Sequence, residues 1–417
     1  MKKYIHIYLS LSLCVILNFN SYTLLAANRG KNVPKRNDSV FNVLEYGARG
    51  DGSSYDTKAF QAAWTATCKA NGGVMVVPSG HTFLLQPIIF NGDKCQPNVA
   101  VQVDGIIVAS TNKLDWKKNT GQWILFTKYK NGITISGNGG VFDGHGQTWW
   151  NPKADHERLV APHAMTISNC NNVTITGIRI QNSPRMHIYI EESQEVKVFN
   201  VTVSSPGNSS NTDGIHLSRS QHVDIHNSTL ACGDDCISIQ AGCSDIKVYN
   251  VNCGPGHGYS IGGLGYRGSR ALVSDIMIYD SNVQDSMTGV RIKTWEGGSG
   301  SVHNVTFSSI TMTDVKTPIT IDQHYGGARG GMAEASAVSI TGITYQNITG
   351  TYTRTSVSLL CSEYKPCNNL TMAGIHLMPS KDKKQGRGGG PYCSHAYGEV
   401  LTETLPSLHN CLQPILK

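Results

Sequence analysis

The chain carries little charge for its length. Only 15% of its 417 residues are Asp, Glu, Lys or Arg, and the formal net charge is +6. This excess is too small and too evenly spread to favour nucleic acid as a partner, but it suits weak attraction to a polyanion. Hydrophobic residues make up 39% of the chain, so it can bury a substantial core, and disorder is not indicated.

Long hydrophobic runs are absent after the N terminus, so we expect no membrane-spanning segment. The first 27 residues have the features of a signal peptide: Lys2 and Lys3, an apolar run over 5–17, and a small-residue cleavage site at Ala26 and Ala27. The sequence therefore predicts secretion, with a signal peptide over 1–27, a polar linker over 28–40 and a single domain over 41–417.

Cysteine spacing typical of metal sites is also absent, because the chain has no CxxC pair and its histidines do not cluster. We expect neither a metal nor another cofactor. Of the 12 cysteines, Cys14 lies in the signal peptide, and most of the others should pair in an oxidising compartment. The natural local pairs are Cys361–Cys367 and Cys393–Cys411, and further candidate pairs are Cys68–Cys95 and Cys236–Cys253. Left over are Cys170, Cys232 and Cys243, and at least one cysteine must stay free or pair with another chain.

The chain is rich in glycine and in short apolar segments typical of strands. The 44 glycines follow no collagen period, which is typical of many tight turns. Similar segments, NVTITGIRI, EVKVFNVTV, HVDIHNSTL and DIKVYNVNC, begin at 172, 195, 222 and 245, with the shorter strands HIYI, GIHL, CISI and YSIG between them. A repeat of a little over 20 residues with several strands favours an all-β, single-domain parallel β-helix, with coils about 4.8 Å apart. A leucine-rich repeat would need regularly placed leucines and a helix in each repeat.

A helix is predicted before this repeat. Asp56 and Thr57 can cap it, and the Asn-Gly-Gly segment at 71–73 can end it, before a strand over 74–77. Its apolar face carries Phe60, Ala63, Trp64 and Cys68. The exposed end of a solenoid must be covered, so we expect this N-terminal helix to cap the first coil.

Polar residues stand at one corner of successive coils. Asp213 precedes the strand GIHL, Asp234 and Asp235 precede CISI, and His257 precedes YSIG. Because residues one coil apart become neighbours when coils stack, we expect these four side chains to lie together on one face.

Two cations extend this cluster. Arg291 and Lys293 alternate with aliphatic residues in GVRIKTW, so both should point outward. Such a set suits hydrolysis of a glycosidic bond, in which one carboxyl group protonates the leaving oxygen and another activates water, roughly 6.5–9.5 Å apart in inverting enzymes. Crowding of carboxylates raises the pKa of one of them, which keeps a proton available. The cations could hold the carboxylate of a uronic acid.

Each signal has a simpler explanation when taken alone. Asn-Thr-Asp-Gly and Gly-Asp-Asp are typical of turns, and the second also of a calcium ligand. A histidine among glycines is more often structural, and two cations on a strand are most simply a solvated face. Their coincidence at one corner of the fold favours the catalytic interpretation.

The motifs NTDG (211–214), GDDC (233–236), GHG (256–258) and RIK (291–293) together resemble those of polygalacturonases, the pectinase family of glycoside hydrolases. The similarity covers nearly the whole mature chain, and SPRMHI and RIKTWEGGSG resemble the plant branch most. The resemblance implies a right-handed parallel β-helix that hydrolyses α-1,4-galacturonosyl links of pectin with inversion. It also implies a secreted monomer of the cell wall, whose partner is pectin and not a nucleic acid or a membrane.

The resemblance further implies a role for each motif residue. Asp234 would be the general acid, Asp213 and Asp235 would activate the water, and His257 would tune the protonation of the acid. The implied substrate-binding residues are Asn211, His187, Arg291, Lys293 and Tyr325.

Some positions depart from the family pattern. The segment GGARGGMAEAS (326–336) stands where plant members usually carry a cysteine pair, and Tyr259 and Gly263 replace the more usual Ile and Ser. Eight Asn-x-Ser/Thr sequons suggest a glycoprotein, although turns of a β-helix favour Asn by themselves. They begin at Asn37, Asn172, Asn200, Asn208, Asn227, Asn304, Asn347 and Asn369.

Other functions compete with this one. A pectin lyase would eliminate instead of hydrolysing, and would need a calcium site or an arginine base. A wall-binding protein could have kept the fold and lost turnover, although all three aspartates and the histidine are present. Among hydrolases, a rhamnogalacturonan specificity is the alternative, and the pair Arg291 and Lys293 favours plain galacturonan.

Overall fold

The chain winds through short strands, each paired in parallel with the strand one coil before it and the strand one coil after it. The structure is a computed structural model that describes residues 39–117, 121–150, 160–327, 337–381 and 389–414. All of them lie within one compact unit, Asp38–Lys417. The predicted signal peptide (1–27) and nearly all of the predicted linker (28–40) lie outside the described residues, and the first strand begins at Val40.

The early coils contain strands of three to six residues. They are β1 (Val40–Asn42), β2 (Asp51–Tyr55), β3 (Val74–Val77), β4 (Thr82–Leu85), β5 (Ile88–Asn91), β6 (Val99–Val103), β7 (Ile106–Ala109), β8 (Gln122–Thr127), β9 (Ile133–Ser136), β10 (Val141–Asp143), β11 (His163–Ser168), β12 (Asn171–Thr176), β13 (Arg179–Gln181), β14 (Ile188–Glu191), β15 (Gln194–Phe199), β16 (Thr202–Ser204) and β17 (Ile215–Ser218).

The later coils include longer strands. They are β18 (Gln221–Ala231), β19 (Ile237–Ile239), β20 (Ser244–Cys253), β21 (Tyr259–Leu264), β22 (Arg270–Gln284), β23 (Thr288–Trp295), β24 (Ser299–Val315), β25 (Thr317–Tyr325), β26 (Ser339–Tyr352), β27 (Val357–Leu360), β28 (Cys367–Ala373), β29 (His376–Pro379), β30 (Tyr392–Ser394) and β31 (Ala396–Val400). The helices of the described residues are α1 (Thr57–Thr67) and α2 (Gln147–Trp150), with 3-10 turns at Val43–Tyr46, Lys113–Trp116 and Tyr266–Gly268. Neither α-helix is long and apolar enough to cross a membrane.

The strands stack in three rows, which confirms the predicted parallel β-helix. The first row runs from β1 through β3, β6, β9 and β12 to β15, and the second from β2 through β4, β7, β10 and β13 to β16. From β18 onward these rows share continuous strands, since β18 pairs with both β15 and β16. The third row contains β5, β8, β11, β14, β17, β19, β21, β23, β25, β27 and β30. The predicted repeat is confirmed as well, because the segments beginning at 172, 195, 222 and 245 lie in register.

Inward-facing aliphatic side chains form the core. Val173, Val196, Val223, Ile246 and Ile276 lie one above another in register and are at most 1% exposed. Burial of a side chain of this size contributes roughly 1.5–3 kcal/mol. A single coil could not bury its apolar face alone. Each coil is therefore stabilised only when its neighbours stack on it.

Asparagines occupy the turns between rows. The sequon residues Asn172, Asn200, Asn227, Asn304, Asn347 and Asn369 all have φ between 50° and 56°. Asn tolerates this left-handed conformation better than most residues. Turn geometry therefore accounts for asparagine at these six sequons.

Helix α1 packs its apolar face on the first coils. The ring centroid of Phe60 lies 5.4 Å from that of Phe83, and the ring centroid of Trp64 lies 5.5 Å from that of Phe90. The helix begins where predicted but ends at Thr67, before the predicted stop at 71–73. The predicted capping by the Asp56 side chain is wrong, because that carboxylate accepts the backbone N–H groups of residues 49 and 50 instead. Shielding of the first coil by α1 stays a prediction.

The four predicted disulfides are all present, namely Cys68–Cys95, Cys236–Cys253, Cys361–Cys367 and Cys393–Cys411. Cys170, Cys232 and Cys243 are free and buried. Burial raises the pKa of the Cys170 and Cys243 thiols to about 11, and it raises the pKa of the Cys232 thiol still further. Four disulfides are typical of a protein made for an oxidising compartment.

The three free thiols should be unreactive in the folded protein. We expect slow reaction of the native mature chain with a colorimetric thiol reagent at mildly alkaline pH, and three thiol equivalents after unfolding without reductant. The reason is that the thiolate is the reactive form, and burial keeps it scarce. A thiol that reacted quickly in the native chain would show that one of these sites opens to solvent.

Candidate active site

The polar corner predicted from the repeat lies just before the strands of the third row. Asp213, Asp235 and His257 each stand two residues before a strand, respectively β17, β19 and β21. These strands pair in register from their first residues, so the three residues stack on successive coils. Asp234 stands beside Asp235. The backbone N–H of His257 donates a hydrogen bond to the carbonyl oxygen of Asp234 at 2.7 Å.

Asp235 is the most tightly held of the three carboxylates. Its Oδ1 accepts from Arg291 Nη2 at 2.6 Å and from the Ser260 hydroxyl at 2.7 Å, and its Oδ2 accepts from Lys293 Nζ at 2.8 Å. Burial alone would raise the pKa of Asp235, but the Lys293 ammonium and the Arg291 guanidinium outweigh it and hold that pKa below its usual value. Asp235 is therefore ionised over the whole ordinary pH range.

The two cations are not a solvated face. Arg291 and Lys293 point outward from β23 as predicted, but each is only 6% exposed. Both form an ion pair with Asp235. An arginine has five N–H donors and an ammonium three, so both keep donors that Asp235 does not use.

Asp234 is held on one side only. Its Oδ1 lies 2.9 Å from His257 Nδ1 and accepts the backbone N–H of Asp235 at 2.9 Å. Its Oδ2 has no hydrogen-bond partner within the described ranges, and the side chain is 24% exposed. One oxygen of Asp234 is thus free to face a ligand.

Asp213 is more buried than Asp234 and has a different environment. Burial, followed by the nearby charges of Asp234 and Asp235, raises the pKa of Asp213, while His216 opposes the rise. The imidazole Nδ1 of His216 lies 2.7 Å from Asp213 Oδ2. Burial, more than the crowding of carboxylates, therefore raises the pKa of Asp213.

His187 does not line the cleft, which corrects the prediction made for it. The side chain is completely buried, with Nδ1 2.9 Å from the carbonyl oxygen of Asp213 and Nε2 2.7 Å from the Ser205 hydroxyl. Burial lowers the pKa of His187 to about 4, so the ring is neutral. It supports the Asp213 backbone from behind.

Tyr325 forms one wall of the site. It ends β25, its ring centroid lies 5.3 Å from that of Trp295, and Lys293 Nζ lies 5.1 Å from the same tyrosine ring. Gly263 makes room for this pair, because a Cβ there would lie 2.7 Å from Trp295 Nε1 and 2.9 Å from the Tyr325 ring. The loop over 326–336, where the family's cysteine pair is missing, lies almost entirely outside the described residues.

A groove of about 810 Å³ continues from the site along the outer face of the third row. Its lining includes His216, Tyr266 and three arginines, Arg185, Arg219 and Arg270. Arg219 is paired with acidic residues of β14 and the following turn. In the described part of the chain, the other two arginines have no ion-pair partner.

Asn211 lies in a second, smaller groove. It is exposed and lines a space of about 390 Å³ together with Trp149, Trp150 and Arg185. Arg185 lines both grooves, so the two are neighbours along the surface.

The site is a poor one for a divalent cation. Asp234, Asp235 and His257 offer ligand atoms within 4.8 Å of one another. However, Arg291 and Lys293 already neutralise Asp235 and would repel a second cation at this distance. Asp235 is therefore not available as a free metal ligand.

Sequence reasoning missed three residues of this site, namely His216, Ser260 and Trp295. The first two were within reach, because the alternation that places Arg291 on the outer face places His216 and Ser260 in the same outward column. Trp295 carries no comparable signal, since its position depends on the path of β23 and on Gly263.

The fold and the cluster of carboxyl groups define a glycoside hydrolase type of site. Residues 68–388 match the sequence profile of glycosyl hydrolases family 28. The chain is 39% identical over 375 residues to a polygalacturonase of Persea americana, covering 88% of this chain and 79% of the relative. It is 36% identical over 374 residues to polygalacturonase-2 of Solanum lycopersicum, covering 88% and 81%. The chain therefore belongs to the glycosyl hydrolases of family 28.

A solved structure supports the fold independently. The crystal structure of endo-xylogalacturonan hydrolase from Aspergillus tubingensis superposes with a TM-score of 0.74, covering 88% of this chain and 99% of that chain. The two sequences are 23% identical, so this likeness concerns the fold alone.

Proposed function

We propose that the protein is a polygalacturonase that hydrolyses α-1,4-galacturonosyl links of unesterified pectin with inversion. The observation that carries the proposal is the pair of unlike neighbours Asp234 and Asp235. Asp235 is fixed as a carboxylate by two buried cations, whereas Asp234 keeps one free oxygen. Two carboxyl groups in different environments can take different roles in one reaction. The relatives named polygalacturonase support the same substrate.

Asp234 is the general acid in this mechanism. Its free Oδ2 carries the proton to the leaving glycosidic oxygen, while His257 and the Asp235 N–H hold the other oxygen in place. His257 thereby fixes the orientation of the acid and influences its protonation.

Asp213 and Asp235 activate the water. Asp235 stays ionised, and Asp213 supplies a second carboxylate from the coil below, so both can accept hydrogen bonds from one water molecule. The attack occurs on the face of the sugar opposite to the leaving group, which inverts the anomeric configuration.

Binding depends on the negative charge of each galacturonate ring. The remaining donors of Arg291 and Lys293 hold the carboxylate next to the cleaved bond, and Tyr325 packs beside that ring. Asn211, Arg185 and Arg270 extend recognition along the two grooves. A methyl ester would remove the charge that these cations bind.

The protein acts outside the cell, as a monomer in the cell wall. This part of the proposal rests on the leader-like first 27 residues and on the four disulfides.

The test is release of reducing ends from polygalacturonic acid with calcium chelated, with ultraviolet absorbance followed in parallel. We expect turnover without a rise in absorbance, and the first product seen by proton NMR should have the β configuration. A calcium-dependent reaction with an absorbing product would replace hydrolysis by elimination. Turnover of rhamnogalacturonan alone would change the substrate, and no turnover on either polymer by folded protein would favour a binding role.

Gly263 offers a test of the aromatic wall. We expect Gly263→Leu to raise KM for oligogalacturonates about fivefold or more, because the large new side chain displaces Trp295 and Tyr325. The matched control is Gly390→Leu, where a Cβ meets nothing within 4 Å. An unchanged KM in the first variant would show that the wall does not contact substrate.

A further inference from the structure

His216 is joined to Asp213, a buried carboxylate of the site. Its Nδ1 lies 2.7 Å from Asp213 Oδ2, and the exposed fractions of the two side chains are 14% and 7%. Since an ionised carboxylate can only accept, the imidazole donates this hydrogen bond. Within the described ranges, Asp213 has no other side-chain donor.

The position of His216 is fixed by the fold. It is the second residue of β17, and in register it faces Tyr189 on β14 and Ser238 on β19. The Tyr189 ring packs edge-on against it at 5.4 Å. Packing on both sides along the column leaves the imidazole little freedom to turn away from Asp213.

We propose that His216 is the positioning residue of Asp213, which it holds in place by donating from Nδ1, so that Asp213 stays an ionised acceptor for the attacking water. The inference rests on the proposed function, because Asp213 matters in this way only if it activates water.

The surroundings make this donor necessary. Burial and the charges of Asp234 and Asp235 all favour the protonated form of Asp213, and a protonated carboxyl group cannot take up the proton of water. Arg291 and Lys293 do not help, because both form their ion pairs with Asp235. Besides Asp213, several titratable groups contact His216 or line the same groove. They are His163 on β11, Tyr189 on β14, Arg185 before β14, Arg219 after β17, Tyr266 after β21 and Arg270 on β22.

Among the described residues, Asp213 is the one that forms a hydrogen bond with the imidazole of His216. Arg219 is committed to Glu191 and Glu192, and burial lowers the pKa of His163 to about 3, so that ring is neutral. The ion pair or hydrogen bond with Asp213 is thus the main electrostatic interaction of His216.

Without the His216 donor, the already raised pKa of Asp213 rises further, so Asp213 is protonated up to a higher pH. The acid limb of the pH–rate profile then moves to higher pH. Loss of a hydrogen bond to a charged group corresponds to about 10- to 100-fold, which should appear on the acid side and shrink as the pH is raised.

The experiment compares kcat and KM on polygalacturonic acid across pH for the whole mature protein and three variants. His216→Phe removes the donor and keeps a ring against Tyr189. His216→Asn keeps an N–H near the place of Nδ1 and should restore much of the acid limb. His222→Phe is the matched control, because His222 makes an equal 2.7 Å bond to Asp245 on the first row, away from the site.

Four outcomes decide the matter. A shifted acid limb in His216→Phe, expressed in kcat more than in KM and rescued in His216→Asn, supports the proposal. A loss that is equal at every pH, or the same shift in His222→Phe, overturns it in favour of a structural role. An active wild type with an unshifted His216→Phe profile overturns the inference alone. An inactive, folded wild type overturns the proposed function and this inference with it. Thermal unfolding of each variant checks that it is folded.

Discussion

Replacing Asp234 with Asn should reduce the rate of polygalacturonate hydrolysis by about 10²- to 10⁴-fold, the typical contribution of a positioned general acid. The amide keeps the shape of the side chain and its place beside His257 but has no proton of suitable acidity. Reducing-end assays at saturating substrate measure the loss as kcat. KM should change little, because the proposed binding of the substrate carboxylates involves Arg291 and Lys293 and not Asp234.

The same substitution elsewhere on the solenoid supplies the control. Asp245 also accepts from a histidine, His222, at 2.7 Å, but on the first row. Asp245→Asn should therefore leave kcat unchanged. If Asp234→Asn kept a rate within about tenfold of the wild type, the acid would have to be another group, and Asp213 with its raised pKa would be the candidate.

Replacing Arg291 with Met should lower the free energy of unfolding by about 3–5 kcal/mol near neutral pH, because it leaves Asp235 buried with only part of its partners. Asp235 is 1% exposed and Arg291 6%. Denaturant unfolding followed by circular dichroism measures the change. Activity should fall as well, since Asp235 would no longer be fixed as a carboxylate.

The pH dependence of this loss is a stricter test. The folded-state pKa of Asp235 lies below its ordinary value of 3.8, so its ion pairs stabilise the fold fully above that pH and lose their effect as the pH falls through the folded-state value. The difference between wild type and Arg291→Met should therefore shrink on acidification.

Arg219→Met is the matched control for stability. Arg219 pairs with Glu191 and Glu192 at the surface, with 53% of its side chain exposed. Such pairs contribute about 0–1 kcal/mol. Equal small losses in both variants would show that the Asp235 cluster does not stabilise the fold.

Much of the fold could be predicted because a β-helix repeats its pattern along the sequence. The register of Val173, Val196, Val223 and Ile246 follows directly from aligned segments. The same alignment brings Asp213, Asp235 and His257 to one corner. The disulfides were within reach because each joins cysteines close in sequence or one coil apart.

What could not be predicted depends on which way a side chain turns. His187 stands one residue before its strand, and the sequence does not show that its ring points into the protein toward Ser205. The pairing of Arg291 and Lys293 with Asp235 likewise depends on how deeply the site is buried. The sequence of one strand does not show this. Asp56 shows the same limit, since its carboxylate bonds to a loop and not to the helix it precedes.

The three-row architecture keeps the spacing of the site residues independent of the number of residues in each coil. Successive coils differ in length, as the register pairs Val196–Val223, Val223–Ile246 and Ile246–Ile276 show, yet each advances the stack by one strand. Residues can therefore be added at the other corners without moving Asp213, Asp235 and His257 relative to one another. In such a scaffold the loops that line the grooves can differ among relatives. The spacing of Asp213, Asp235 and His257 along the stack is set by the backbone pairing of the strands.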